Sequence, residues 1–144
     1  MEVSIGPYSD GDFESVTQIW FESAASTGLP MPVTLNDLRN RWPKEIAGGW
    51  TVFVAKAANI LVGFMAMKGN AVDQLFIDPE RQGCGIGKRF VEFAKSRFPQ
   101  GVFVASVIPG RSTKFFEREG FKRAETSQDI FGHVLVRYDW RPQT

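Results

Sequence analysis

A chain of 144 residues, 43% apolar and 23% charged, has the size and composition of one ordinary globular domain and is too hydrophobic to be disordered throughout. Lysine and arginine total 17 against 16 acidic residues, and a net charge of +1 argues against general nucleic-acid binding. One cysteine, Cys84, and one histidine, His133, exclude an internal disulfide and a Cys/His zinc cluster, and no motif points to a metal.

The start of the chain has no basic head followed by an apolar stretch. The longest apolar run, Ile60 to Met67, falls far short of the ~18 residues that suggest a membrane span. The expectation is a soluble, cytoplasmic protein with no membrane partner. Phe13, Val16, Ile19 and Trp20 recur at helical spacing behind Ser9 or Asp10 as cap, which predicts a helix to about Thr27; Gly28, Pro30 and Pro32 break it. Thr34 with Asp37 three positions on is a capping box, and Leu35, Leu38 and Trp42 predict a second short helix running into Pro43. Thr51 to Lys56 and Ile60 to Lys68 read as a hairpin across Ala57-Ala58-Asn59, and Gly69-Asn70 turns the chain into a third strand, Ala71 to Asp78.

Ile86, Phe90, Phe93, Ala94 and Phe98 predict an amphipathic helix stopped by Pro99 and Gly101. A strand from Gly101 to Ile108, a helix from Ser112 to Glu119 closed by Gly120, and strands Phe121 to Thr126 and Val134 to Trp140 complete the pattern. The strand, helix, strand order from Ala71 to Ile108 is a βαβ unit, which makes those two strands parallel if they are neighbours. The fold class expected is α/β, or α+β by stricter naming. It has a mixed sheet of about six to seven strands with about four helices in one domain spanning 1–144.

The segment Gln82-Gly83-Cys84-Gly85-Ile86-Gly87-Lys88 joins the end of a strand to the start of a helix. The first turn of a helix leaves amide N–H groups unpaired at the positive end of the dipole, and glycines let an anion come close to them. Lys88 and Arg89 add charge there, so a phosphate or pyrophosphate is the natural guest. A dinucleotide fingerprint would need glycine where Lys88 or Phe90 stands, and a Walker loop would need glycine at Gln82 and Ser or Thr at Arg89. Both fail.

Gln82-x-x-Gly85-x-Gly87, after a strand ending Leu75-Phe76-Ile77-Asp78-Pro79, resembles the pyrophosphate-binding segment of the GNAT acetyltransferase family. About thirty residues on, Phe115-Phe116-Glu117-Arg118-Glu119-Gly120-Phe121 resembles the family's helix-to-strand segment, commonly Phe-Tyr-Glu-x-x-Gly-Phe. The element order is similar along essentially the whole chain, although Met1 to Trp50 matches in pattern only. The resemblance implies a GNAT-like fold and a ternary, non-covalent transfer of the acetyl group from acetyl-CoA to a small amine or a peptide amine. Main-chain groups of Phe76 and Ile77 would meet the pantetheine where their strand splays from its neighbour, and Gln82, Gly83, Cys84, Gly85, Ile86, Gly87 and Lys88 would cradle the pyrophosphate. A nucleophilic role for Cys84 lacks a base, so it is read as a bystander.

A lysine-like amine with a pKa of about 10.4 must lose a proton before it attacks. Asp73 and Glu22 are the carboxylates placed for this, although each could equally be a solvated surface acid. Phe116 stands where the family often carries the tyrosine that protonates the departing thiolate, and Pro109 stands where an asparagine is common. Tyr138 is the candidate substitute acid, with a hydrogen-bonded core tyrosine as the plainer reading; His133 is either a base or structural. Phe13, Trp20, Phe21, Trp42 and Trp50 are core residues first and acceptor-pocket residues second. A non-catalytic acyl-CoA-binding regulatory module is the alternative function. A homodimer is left open.

Overall fold

The computed structural model describes residues 2–26, 33–107, 111–128 and 134–142. Its elements in chain order are β1 (Ser4–Pro7), α1 (Phe13–Ser26), α2 (Leu35–Ala47), β2 (Thr51–Ala57), β3 (Ile60–Lys68), β4 (Ala71–Ile77), α3 (Ile86–Arg97), β5 (Val102–Val107), α4 (Arg111–Arg118), β6 (Lys122–Gln128) and β7 (Val134–Trp140). The seven strands form one mixed sheet in the order β1-β2-β3-β4-β5-β7-β6, which with the four helices is the expected class. The βαβ reading holds as well: β4 and β5 are parallel, with Ala71 opposite Phe103 and Val72 opposite Val104. Thr27, Gly28, Pro30, Pro32, Ile108, Pro109 and His133 lie outside the described residues. No helix among those described is long and apolar enough to cross a membrane.

Two compact units divide the chain, the first formed by residues 1–67 and 74–90, the second by 68–73 and 91–144. The first contains β1, β2, β3, the end of β4, and helices α1 and α2. Its core is aromatic: Trp42, 2% exposed, has ring centroids 5.8 Å from Trp20, 5.5 Å from Trp50 and 5.3 Å from Phe64. Phe64 in turn meets Phe76 at 5.8 Å, and the helix residues Val16, Ile19 and Leu38 close the cluster. The tryptophans expected to be core residues first are just that, and rings at 5–6 Å in tilted or edge arrangements add to the area they bury.

Three local departures from the sequence reading have physical causes. Strand β1 was not anticipated, because Ser4-Ile5-Gly6-Pro7 is short and carries little apolar pattern; it forms by pairing antiparallel to β2, with Ile5 opposite Ala55. Helix α2 does not stop at Pro43 but continues to Ala47. Proline removes one helical hydrogen bond at a cost of ~3 kcal/mol, and the buried Leu38 and Trp42 with the packed Ile46 hold both sides of the interruption in the core. The third predicted strand ends at Ile77, and Asp78 instead caps the 3₁₀ turn Pro79–Arg81, its Oδ1 accepting from the Glu80 amide at 3.1 Å. The capping box at Thr34 is present as expected: the Asp37 amide donates to the Thr34 hydroxyl at 3.1 Å and the Thr34 amide to Asp37 at 2.9 Å. The β2–β3 turn places both Ala58 (φ 51°) and Asn59 (φ 67°) in the left-handed region, the requirement of a two-residue type I′ hairpin.

The second unit holds β5, β6, β7, α4 and the C-terminal part of α3. Phe116 packs against Phe121 and Tyr138, and Lys95 lies over the Trp140 ring at 5.0 Å while donating to the Glu119 carbonyl. Strand β6 is exposed at every residue and carries Lys122, Arg123 and Glu125.

Candidate functional site

The glycine loop and the end of β4 belong to the first unit. Gly83 (φ 84°) and Gly85 (φ 79°) are left-handed, which L side chains rarely adopt, and open space surrounds the position a Cβ would take at either. The backbone conformation, and no crowding neighbour, therefore asks for glycine, and an incoming group has room. The first helical hydrogen bond of α3 runs from the Arg89 amide to the Gly85 carbonyl at 3.2 Å. The amides of Ile86, Gly87 and Lys88 precede it and have no intrahelical acceptor. Ile86 is buried and anchors the helix start, while Gln82, Gly83, Cys84, Gly85 and Lys88 are exposed and Gly87 is partly so. The loop residues are thus a surface rim of backbone donors with Lys88 and Arg89 beside it, chemistry suited to a polyanion. Cys84 is a free, exposed thiol.

Just before the loop, Gly63 of β3 lets β4 come unusually close. A Cβ built there would lie 2.9 Å from the Phe76 carbonyl oxygen and 2.9 Å from Ile77 Cδ1. The Asp78 amide then donates to the Val62 carbonyl at 2.9 Å, so one edge of β4 stays paired up to the 3₁₀ turn. Phe76 and Ile77 are held by this contact. Asp78 Oδ2 also accepts from Arg81 at 2.6 Å, which marks it as the turn residue the sequence suggested.

Beside these lies an open groove of about 420 Å³ whose lining includes Glu14, Gln18, Glu22, Arg39, Leu61 and Asp78. Glu22 is exposed, and its Oε1 accepts from the Gln18 amide nitrogen at 2.9 Å. Arg39 is paired with Glu14. With Glu14 paired to Arg39 and Asp78 to Arg81, Glu22 is the lining carboxylate that has no cationic partner among the described residues and is open to a cation. Sequence reading found Glu22 but not its neighbours, because the Arg39–Glu14 pair joins residues 25 apart on different helices. Below the same helix, Asp12 accepts from Lys56 at 2.9 Å and from the Ser9 amide at 3.0 Å. Burial pushes the Asp12 carboxyl up, but the Lys56 and Ser9 bonds outweigh it and hold the group below its usual range.

Asp73 and Tyr138 belong to the second unit. Asp73 is exposed on β4. Tyr138 is 1% exposed, and its hydroxyl donates to Glu117 Oε1 at 2.8 Å. Burial, reinforced by the Glu117 bond and charge, raises its pKa, which makes the phenol a weaker acid. Phe116 is 5% exposed and stacks on Tyr138 with centroids 6.4 Å apart.

A turn through left-handed glycines from a strand into a helix whose first amides have no intrahelical acceptor is an arrangement that suits an anion. The chain is a member of the acetyltransferase (GNAT) domain family, whose pattern matches residues 33–141. It is 39% identical over 61 residues to the peptidyl-lysine N-acetyltransferase YjaB of Escherichia coli, an alignment covering 42% of this chain and 42% of that protein. The solution structure of apo YjaB from Escherichia coli superposes with a TM-score of 0.76 at 26% identity, over 97% of this chain and 98% of that one. The yncA protein of Salmonella typhimurium, solved with its cofactor acetyl-CoA, shares the fold at a TM-score of 0.69 and 15% identity, over 100% of this chain and 96% of that one.

Proposed function

We propose that this protein is an acetyl-CoA-dependent N-acetyltransferase acting on a lysine amine of a peptide or protein. The observation that carries the cosubstrate is the loop: left-handed Gly83 and Gly85 with open space around them, followed by three amides ahead of the first α3 bond. The amides of residues 83–88 with Lys88 would hold the pyrophosphate, and the main chain of Phe76 and Ile77 would orient the pantetheine. The thioester bound there supplies an activated acetyl group. The acceptor class rests on the similarity to YjaB and on the groove's exposed Glu22, which attracts an ammonium and can take its proton.

At pH 7 only about one lysine amine in 2,500 is neutral, so the chain must help remove a proton. Glu22, exposed in the groove, receives it directly or through water, and the freed nitrogen attacks the thioester carbonyl. The C–N bond forms, the nitrogen gives up its surplus proton to solvent, the C–S bond breaks, and CoA departs as the thiolate. Its conjugate thiol has a pKa of about 8.5, so solvent can protonate it, and no phenol is needed at Phe116. Tyr138, buried and committed to Glu117, has a structural role. Asp73 is the alternative base. Comparing Glu22→Gln with Asp73→Asn across pH decides: the true base, once removed, lowers kcat/KM and abolishes its acid limb.

Calorimetry with acetyl-CoA, NAD and ATP tests the cosubstrate, with acetyl-CoA expected to bind tightest. Release of free CoA thiol in the presence of lysine peptides tests the transfer. Tight CoA binding without turnover on any amine would favour a regulatory acyl-CoA-binding module, the reading to which the hydroxyl-free Phe116 points.

A further inference from the structure

The second unit contains a separate cavity of about 600 Å³, and none of its lining belongs to the glycine loop or the Glu22 groove. Three arginines reach it: Arg97 at the end of α3, Arg137 on β7 and Arg141 just past β7. Asp139 is the one carboxylate in the lining, and its Oδ1 already accepts from Arg137 Nε at 2.8 Å. Arg97 has a partner of its own and Glu125 faces Arg137 from β6, so Arg141 is the lining cation with no partner among the described residues.

Arg137 is not a loose surface side chain. Its guanidinium lies over the Phe103 ring at 4.3 Å and is pinned through Nε to Asp139, so the planar fork has a set direction. Its two terminal nitrogens have no hydrogen-bond partner among the described residues, and neither has Arg141. A fork fixed at one nitrogen with two donors unspent is the geometry that grips a carboxylate or phosphate in bidentate fashion. Trp140 and Phe98 form apolar parts of the lining, and the Asn70 amide is tied to the Gly101 carbonyl at 3.2 Å, which holds the rim.

We infer that this cavity is a second ligand site, for a small organic phosphate whose anionic head sits between Arg137 and Arg141. The volume is many times that of a phosphate ion, so the head should carry an organic body that covers Trp140.

The test uses AMP, adenosine and inorganic phosphate as probes, with calorimetry and tryptophan fluorescence as readouts. AMP should bind and alter the Trp140 emission, inorganic phosphate should bind more weakly, and adenosine, lacking the charge, should not bind. Arg141→Gln, at an exposed residue beyond the last strand, should weaken AMP about tenfold without changing the melting temperature, and Arg137→Gln should do at least as much. Because the glycine loop also attracts phosphates, the same titrations are run on Gly85→Glu. AMP binding that survives Gly85→Glu and fails in Arg141→Gln supports the second site, whatever becomes of acetyl-CoA binding. Binding lost with Gly85→Glu and kept in both arginine variants, equal binding of adenosine, or no AMP binding at all overturns it.

Discussion

Gly63→Ala puts two known effects of opposite sign against each other. Alanine is favoured over glycine inside a strand by about 0.5–1 kcal/mol, since it has less backbone freedom to lose. Against this, the new methyl would lie 2.9 Å from the Phe76 carbonyl oxygen, 2.9 Å from Ile77 Cδ1 and 3.3 Å from Phe90 Cε2. Ile77 can swing aside, but the carbonyl is main chain in β4 and the Phe90 ring is fully buried. Overpacking of this kind costs about 1–3 kcal/mol, with a backbone obstacle pushing toward the upper end. The net expectation is a loss of about 1–2 kcal/mol. In urea, with a slope near 2 kcal/mol/M, the midpoint should fall by roughly 0.5–1 M with the slope unchanged. Because the atom displaced is the carbonyl of Phe76, the KM for acetyl-CoA should rise in the folded variant as well. A variant as stable as the parent would show that β3 and β4 separate freely at this point, and the account of how Phe76 and Ile77 are positioned would fail with it.

Gly85→Glu should abolish acetyl-CoA binding through steric and like-charge conflict. It should leave the protein folded, because a left-handed side chain costs only about 1–2 kcal/mol and open space surrounds the site; calorimetry beside a melting curve separates the two effects. Tyr138→Phe should lower the melting temperature by removing the bond to Glu117 yet leave kcat for acetyl transfer unchanged, whereas a collapse in kcat with CoA binding intact would make Tyr138 the acid. The depressed Asp12 carboxyl contributes stability that is fully present above its ordinary value near 3.8 and is lost as pH falls through its lower native value. Acid titration of stability should therefore show a shallower fall below pH 3.8 in Asp12→Asn than in the parent. Ala58→Asn should raise the urea midpoint, by up to about 1 kcal/mol in stability, since asparagine tolerates the left-handed turn position that alanine resists.

What could be read in advance followed local rules. The Thr34 box, the hairpin turn within Ala57-Ala58-Asn59, and the strand-to-helix loop from Gln82 to Lys88 are written in neighbouring residues, and their backbone forms match, with β2 taking in Ala57, because no distant contact competes. Pro43 misled because burial of Trp42 and Leu38 outweighs a local helix-breaking preference, a tertiary effect that spacing does not display. Strand β1 was invisible because four residues with little pattern become a strand only when β2 offers an edge. In the candidate site, Glu22 is named from its place on the first helix, but the groove around it and the Asp12–Lys56 pair depend on contacts across 25 and more positions. The bond from the Tyr138 hydroxyl to Glu117 joins residues 21 apart in the chain, a contact that local pattern does not display.

Neither compact unit is continuous in the chain: the boundary passes through β4 between residues 73 and 74 and through α3 between 90 and 91. For a chain emerging from a ribosome, the first 67 residues cannot seat Phe76 against Phe64 until β4 is out, and their unit is complete only once residue 90 follows. At ~5–20 residues per second that delay lasts roughly one to five seconds. A fragment ending after β3 would keep Trp20, Trp42 and Trp50 but lack the strand that covers Phe64, and should be recovered as an aggregate. Cutting the gene at the β3–β4 turn is for this reason a poor way to obtain either half.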